Sequence, residues 1–199
     1  MEPGELKAWR KQLRAELIDA RIALDAATHR TYSEAVTSAV LNRVDLFKGK
    51  LLGFYWPFRR EFNPLPIVKR HLELGGRAAL PTVVAKNQPL EFRAWSPGTK
   101  MEVGVYDIPF PAEGPGIEPD ALLVALVGFD AGGYRLGYGG GFYDRTLGSY
   151  KTRPLTIGVG FELCRLETIH PQTFDVPLDY IATERGLFHR HGHTLAPGD

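Results

Sequence analysis

The sequence predicts a single-domain α/β protein, a three-layer sandwich around a mainly parallel sheet. Two patterns indicate this class: apolar strand-like runs alternate with segments of helical periodicity, and glycine-containing turns separate them. The length supports it, because 199 residues without an internal repeat or a linker fit one domain with a sizeable core. We therefore predict that residues 1–199 form one domain and that 186–199, which carries three histidines, is a flexible tail.

The composition disfavours several classes of protein. A net charge of +1 gives no general attraction to nucleic acid or to an anionic membrane. No apolar run approaches the roughly 20 residues that cross a bilayer, and the amphipathic N-terminus does not resemble a secretory signal. The single cysteine, Cys164, excludes an internal disulfide and a cysteine metal cluster. We expect a cytoplasmic monomer without nucleic-acid or membrane partners.

Two helices are predicted at the start of the chain. Apolar residues recur at helical spacing over residues 5–27, and a second helix is expected over 33–46, capped by Thr31 or Ser33. A row of cations lies beside the first apolar stripe. Such a row is typical of a solvated helix face, because like charges three or four residues apart repel by about 0.2–0.5 kcal/mol per pair. The row consists of Lys7, Arg10, Arg14 and Arg21.

The remaining elements alternate between strands and helices. Strands are expected at 51–56, 77–84, 90–95, 121–129 and 155–161, and helices from about 64 to 74 and from 144 to 150. Glu61 follows the first strand, and loops at the carboxyl ends of such strands hold ligands in α/β folds. Trp56 could stack on a ligand ring or belong to the core. Glu61 could bind a ligand or pair in solvent with Arg59 or Arg60.

The clearest functional signal lies between residues 126 and 147. An apolar strand ends there at Asp130, and a glycine-rich loop with three consecutive glycines at 139–141 precedes a predicted helix. Glycines this dense cost backbone entropy but allow close approach or positive φ angles. Free N–H groups and the helix dipole at such a junction favour a phosphate. The alternative is a glycine-rich surface turn.

Charged side chains in this loop favour the phosphate site. Arg135 and Arg145 carry planar guanidinium groups that suit phosphate oxygens, and Asp144 could hold Mg²⁺ beside a phosphate. The loop is not a P-loop, because no Gly-Lys-Ser/Thr ends it. It is not a dinucleotide fingerprint either, because Phe142 stands where the third glycine belongs.

The segment Arg-Leu-Gly-Tyr-Gly-Gly-Gly-Phe-Tyr-Asp-Arg, after a strand that ends in Gly-Phe-Asp, resembles the signature of the 5-formyltetrahydrofolate cyclo-ligase family. Further landmarks follow in the family's order over residues 5–185. The resemblance implies a NagB/RpiA/CoA-transferase-like form of the α/β fold. It also implies an enzyme that uses MgATP to convert 5-formyltetrahydrofolate to 5,10-methenyltetrahydrofolate. The formyl oxygen is phosphorylated, and ADP and phosphate are released.

The resemblance also implies roles for individual residues. Asp144 and Asp175 would hold Mg²⁺, and Arg135, Tyr143 and Asp144 would act in catalysis. The residues implied to bind ATP are Arg10, Arg14, Arg135, Leu136, Gly137, Tyr138, Gly139, Gly140, Gly141, Phe142 and Tyr143. Those implied to bind the reduced folate are Trp56, Glu61, Tyr106, Tyr138, Gly139, Gly140, Gly141 and Phe142.

Several alternatives remain open. Arg10 stands where some relatives have lysine, and the stretch from Trp56 to Arg60 departs from the familiar family pattern. That departure motivates a second hypothesis, a paralogue with the same MgATP site and a different pterin-like or phosphorylated acceptor. A third is a non-catalytic anion- or RNA-binding module, which the near-neutral charge disfavours. Asp175 could instead be a turn residue before Pro177. The tail histidines could belong to a disordered end or to a metal site.

Overall fold

The structure, a computed structural model, describes residues 2–198, except for the side chain of Tyr106. It contains α-helices and strands in alternation, together with three short 3₁₀ turns. The helices are α1 (Pro3–Ala23), α2 (Ala26–Leu41), α3 (Leu65–Glu73) and α4 (Phe142–Ser149). The strands are β1 (Leu51–Gly53), β2 (Arg77–Thr82), β3 (Glu91–Trp95), β4 (Met101–Val103), β5 (Pro109–Pro111), β6 (Ala121–Ala125), β7 (Gly128–Asp130), β8 (Arg135–Leu136), β9 (Leu155–Val159), β10 (Arg165–Leu166), β11 (Tyr180–Thr183), β12 (Gly186–His191) and β13 (Thr194–Pro197).

Eight strands form the central sheet in the order β13-β12-β11-β9-β6-β1-β2-β3. The five strands from β11 to β2 pair in parallel, whereas β3, β12 and β13 add antiparallel edges. This arrangement confirms the predicted α/β class with a mainly parallel sheet. It also explains why the central strands are continuously apolar, because both faces of such a sheet are covered.

Neighbouring residues of the central strands contribute to different buried clusters. Leu52 and Leu123 pack with α2 and α3 residues such as Val40 on one face. Leu122 packs on the other face with Leu147 of α4. Successive side chains of a strand point to opposite faces, so the two clusters form the two interfaces of a three-layer protein.

A third cluster attaches α1 to the rest of the molecule. Leu17 and Ile18 of α1 pack against Val127, Leu136 and Ile169. These partners flank the short sheet of β10, β7 and β8, which leads into the glycine loop. The predicted strand 121–129 is therefore two strands: β6 ends at Ala125, and β7 pairs with β8 outside the central sheet. The apolar face of α1 thus places its cation row beside the glycine loop.

The second helix starts earlier than predicted. Asp25 caps α2, because its Oδ1 accepts the N–H groups of Ala27 and Thr28 at 2.9 Å each. The predicted caps Thr31 and Ser33 lie inside the helix instead. Aspartate is at least as good a cap as serine or threonine, and here it leaves a very short link after α1.

The predicted flexible tail is wrong for residues 186–198. The strands β12 and β13 form a hairpin that extends the central sheet beyond β11. Leu187 is buried, and the ring of His189 stacks on Tyr180 with centroids 4.5 Å apart. The histidines suggested a disordered end, but Leu187 and Leu195 of the same hairpin pack against the two buried clusters of the central sheet. None of the helices within residues 2–198 combines the length and apolar composition that a membrane span requires.

Candidate functional site

The glycine loop, residues 137–141, connects β8 to the first turn of α4. Gly139 and Gly141 have φ angles of 92° and 64°, in the left-handed region that favours glycine. Within residues 2–198, the N–H groups of Gly139, Gly140 and Gly141 donate to no protein acceptor. Left-handed turns at a helix N-terminus with unused donors form a concave anion site. The loop therefore has the geometry that the sequence predicted.

Two arginines of α1, one turn apart, reach this part of the molecule. Nε of Arg14 donates to the carbonyl oxygen of Gly137 at 2.6 Å. Its pKa is lowered, first by burial and then by the positive charge of Arg10. Arg10 itself donates to Asp175 at 2.6 Å and to the carbonyl oxygens of Ile169 and His170. The interpretation of these residues as a solvated helix face is therefore wrong.

Asp144 and Asp175 lie close together at the start of α4. The guanidinium of Arg135, with only 4% of its side chain exposed, contacts Asp144 at 3.0 Å. The same carboxylate accepts the N–H of Val176, the residue after Asp175, at 3.1 Å. Asp175 in turn accepts the N–H of Gln172 at 2.7 Å. Both predicted metal ligands are therefore held in place, each by one arginine and one backbone N–H group.

These two carboxylates fit a magnesium site in which a bound nucleotide supplies further ligands. Within the part of the chain that the structure describes, no three His, Cys, Asp or Glu residues form a metal cluster. Mg²⁺ does not need one, because it is usually bound by one or two carboxylates together with phosphates and water. Asp144 and Asp175 offer such carboxylate oxygens from adjacent segments of the chain, beside the candidate phosphate site.

Glu61 is buried and contacts the glycine loop through the side chain of Tyr138. Its Oε1 accepts the Tyr138 hydroxyl at 2.8 Å, and its Oε2 accepts the N–H of Phe58 at 2.8 Å. Burial raises the pKa of this carboxyl, although the hydrogen bonds from Tyr138 and Phe58 oppose that shift. The alternative of a solvent-exposed pair with Arg59 or Arg60 is therefore wrong.

Residues 58–61 form a strained turn in front of Glu61. The N–H of Glu61 donates to the carbonyl oxygen of Phe58 at 3.0 Å, and the central residues Arg59 and Arg60 have φ angles of 46° and 56°. This is a type I′ turn, which normally takes Asn-Gly or Gly-Gly. Left-handed conformations cost about 1–2 kcal/mol for each non-glycine residue. The departure from the family pattern thus coincides with a strained backbone.

Sequence reasoning missed Arg21 as part of the site. It lies in the cation row of α1 but is only 2% exposed, and its Nη2 donates to the Tyr138 hydroxyl at 2.8 Å. The signal was present, because Arg21 follows Arg14 at helical spacing on the same face. Arg145 was noted in the loop but not assigned to the site. Its guanidinium bonds the Gly140 carbonyl oxygen and covers the Phe142 ring at 5.3 Å.

The remaining predicted residues have mixed surroundings. Trp56 is half-buried and packs against the core cluster that contains Phe54. The Tyr143 hydroxyl is buried without a partner among the described residues, and the Arg135 guanidinium lies 5.6 Å from its ring centroid. Burial raises the pKa of Tyr143. The side chain of Tyr106 lies outside the described residues.

A model of the 5-formyltetrahydrofolate cyclo-ligase family matches residues 6–184. The chain belongs to this family. The cyclo-ligase of Haemophilus influenzae is 28% identical over 176 residues, which are 85% of this chain and 94% of that protein. The cyclo-ligase of Mycolicibacterium smegmatis is 32% identical over 190 residues, 89% of this chain and 95% of its own.

Solved structures agree with this membership in the cyclo-ligase family. The NMR structure of Aquifex aeolicus 5,10-methenyltetrahydrofolate synthetase has a TM-score of 0.79 at 30% identity, over 94% of this chain and 96% of its own. A 5,10-methenyltetrahydrofolate synthetase from Mycoplasma pneumoniae has a TM-score of 0.73 at 22% identity, over 88% of this chain and 98% of its own, and supports the fold. The predicted family, fold and enzyme class are confirmed. The roles of individual residues stay predictions.

Proposed function

We propose that this protein converts 5-formyltetrahydrofolate to 5,10-methenyltetrahydrofolate at the site described, with ATP as phosphoryl donor. The observation that carries the site assignment is the bond from Arg14 to Gly137, because it joins the cations of α1 to the unused N–H groups of the glycine loop. The nucleotide's triphosphate then lies between them, with Arg10 and Arg135 as further positive charges.

The metal part of the proposal involves Asp144 and Asp175. They would hold Mg²⁺ together with the nucleotide, and the ion would supply positive charge that offsets the negative charge of the phosphates during phosphoryl transfer. Arg135 and the N–H of Val176 orient Asp144, and Arg10 with the N–H of Gln172 orients Asp175. The carboxylates therefore keep fixed positions in the protein without nucleotide.

The reaction needs positioning more than an acid or base of the protein. The formyl oxygen attacks the γ-phosphorus, the bond to the β–γ bridging oxygen breaks, and ADP leaves. N10 of the folate then attacks the activated formyl carbon and loses its proton, and the carbon–oxygen bond breaks to release phosphate. The glycine loop contacts Arg14 through Gly137 and Glu61 through the Tyr138 side chain. In this proposal Trp56, Glu61 and Phe142 hold the pterin.

A second candidate function keeps the MgATP site and changes the acceptor. The strained turn at residues 58–61 favours it, because two consecutive left-handed arginines stand directly before the proposed folate carboxylate Glu61. A pterin-like or phosphorylated metabolite would then replace the reduced folate. The wider proposal places the protein in the cytoplasm as a monomer that binds small molecules. Its net charge of +1 gives no general attraction to nucleic acid or to an anionic membrane.

The decisive experiment mixes the purified protein with 5-formyltetrahydrofolate and MgATP and follows the absorbance of the methenyl product. We expect product to form in proportion to released ADP. Folded protein that hydrolyses ATP at the same rate with and without the folate would support the second candidate instead. Folded protein without either activity would contradict both.

A further inference from the structure

We propose that Arg21 is a positioning residue for the reduced-folate side of this site, a role that rests on the proposed function. Arg21 follows Arg14 by about two helical turns and lies near the end of α1. Unlike Arg14, which donates to Gly137, it makes no hydrogen bond to a glycine of the loop among the described residues. Its guanidinium is buried, and within the described part of the chain its bonds go to two carbonyl oxygens and one hydroxyl, with no carboxylate.

The three bonds of Arg21 join segments that are far apart in the sequence. Nε donates to the carbonyl oxygen of Arg59 at 3.1 Å, and Nη1 donates to the carbonyl oxygen of Leu126 at 3.2 Å. Nη2 donates to the Tyr138 hydroxyl at 2.8 Å. Leu126 directly follows the central strand β6. The planar guanidinium therefore fixes both the 58–61 turn and the Tyr138 side chain against the end of the central sheet.

The bond to Arg59 supports the strained turn. A left-handed backbone at two consecutive arginines persists only where the surroundings hold it. The bond from Arg21 to the Arg59 carbonyl oxygen is one such support, and the bond from the Phe58 N–H to Glu61 is another. Losing the first should let the turn relax and move Glu61 with it.

The bond to Tyr138 orients Glu61 more directly. The Tyr138 hydroxyl accepts from Arg21 and donates its only proton to Oε1 of Glu61. Because the guanidinium occupies the accepting side of the hydroxyl, the proton is directed to Glu61. Arg21 therefore sets the orientation of a carboxylate that it does not touch. A residue of this kind should change the affinity for the acceptor and leave the affinity for the nucleotide unaffected.

The test compares KM values for the two substrates in Arg21→Lys and Arg21→Met. Lysine keeps the positive charge but lacks the planar guanidinium that donates to all three acceptors of Arg21. In both variants we expect the KM for 5-formyltetrahydrofolate to rise about tenfold or more, as for a lost charge-assisted bond, and the KM for MgATP to change by less than about twofold. The matched control is Arg30→Met on the exposed surface of α2, which should leave both KM values unchanged.

Tyr138→Phe keeps the proposal testable if an Arg21 variant does not fold. It removes the hydroxyl between Arg21 and Glu61, so it should raise the folate KM. Adding Arg21→Lys should raise it further by a smaller factor than Arg21→Lys does in the wild type, because only the bonds to the carbonyl oxygens of Arg59 and Leu126 are then left to lose. An unchanged folate KM in folded Arg21→Lys or in Tyr138→Phe would overturn the proposal. So would an equal rise of both KM values, which indicates general distortion. Wild-type protein without turnover would overturn the proposed function and this role together.

Discussion

Replacing Gly139 with alanine tests whether the glycine loop and α1 act as one phosphate-binding surface. Gly139 has a φ of 92°, so a side chain there costs about 1–2 kcal/mol of backbone strain. A Cβ at this position would also lie 3.4 Å from Cζ of Arg14. This is ordinary van der Waals contact, so Arg14 would move only if the strained loop relaxes, and its guanidinium makes a charge-assisted bond to Gly137 that is worth about 1.5–3 kcal/mol. Weakening an equivalent bond to phosphate corresponds to roughly a tenfold to hundredfold loss of affinity.

We expect Gly139→Ala to lower the free energy of unfolding by about 1–2 kcal/mol and to raise the KM for MgATP about tenfold or more. Urea unfolding and initial rates at varied MgATP measure the two effects. The control is Gly148→Ala in α4, where an added Cβ meets nothing within 4 Å and the backbone is right-handed. That change should stabilise the helix by about 0.5–1 kcal/mol. The reasoning is refuted if Gly139→Ala has the same KM for MgATP as Gly148→Ala.

Three further changes probe other parts of the site. Asp175→Asn removes the ion pair with Arg10, so we expect a loss of about 1–3 kcal/mol in urea unfolding and a higher Mg²⁺ requirement in the rate assay; wild-type stability would contradict the pairing. The raised pKa of Glu61 means that its stabilising contribution is complete below its ordinary pKa and is lost as pH rises through the folded value. Glu61→Gln should therefore gain stability relative to wild type as the pH rises above the ordinary pKa of glutamate, and a stability difference in urea unfolding that does not change with pH would contradict this. Burial raises the pKa of Cys164 to about 11, so a thiol reagent at about pH 8 should modify it only after unfolding; rapid modification of folded protein would contradict that burial.

The sequence was informative wherever a local pattern determines structure by itself. Apolar runs predicted the central strands, because a strand covered on both faces is apolar along its whole length. The glycine loop was recognisable because Gly139 and Gly141 adopt backbone angles that other residues avoid. The pairing of Arg14 with that loop depended on the family resemblance, since no local rule joins residues 123 positions apart.

Other features depend on contacts that a single sequence does not reveal. The tail histidines suggested disorder, but whether 186–198 is ordered depends on the free edge that β11 offers to β12. Arg21 resembled its neighbours in the cation row, and only its burial separates it from Lys7, which is exposed. The ion pairs of Asp144 and Asp175 were also not predicted. Assigning these two carboxylates to a metal does not indicate which positively charged side chains pair with them in the free protein.

Those ion pairs suggest why such a site should select the complex of nucleotide and metal. Each ion pair places a proposed phosphate-binding group beside a proposed metal-binding group. The two pairs are Arg10 with Asp175 and Arg135 with Asp144. Under the proposed roles, free ATP would bring phosphates close to two carboxylates whose charge is then uncompensated. Mg²⁺ alone would take the carboxylates from their arginines and leave two largely buried cations unpaired, which is costly. Only MgATP supplies both partners at once, so the pairs that stabilise the free protein also disfavour each component alone.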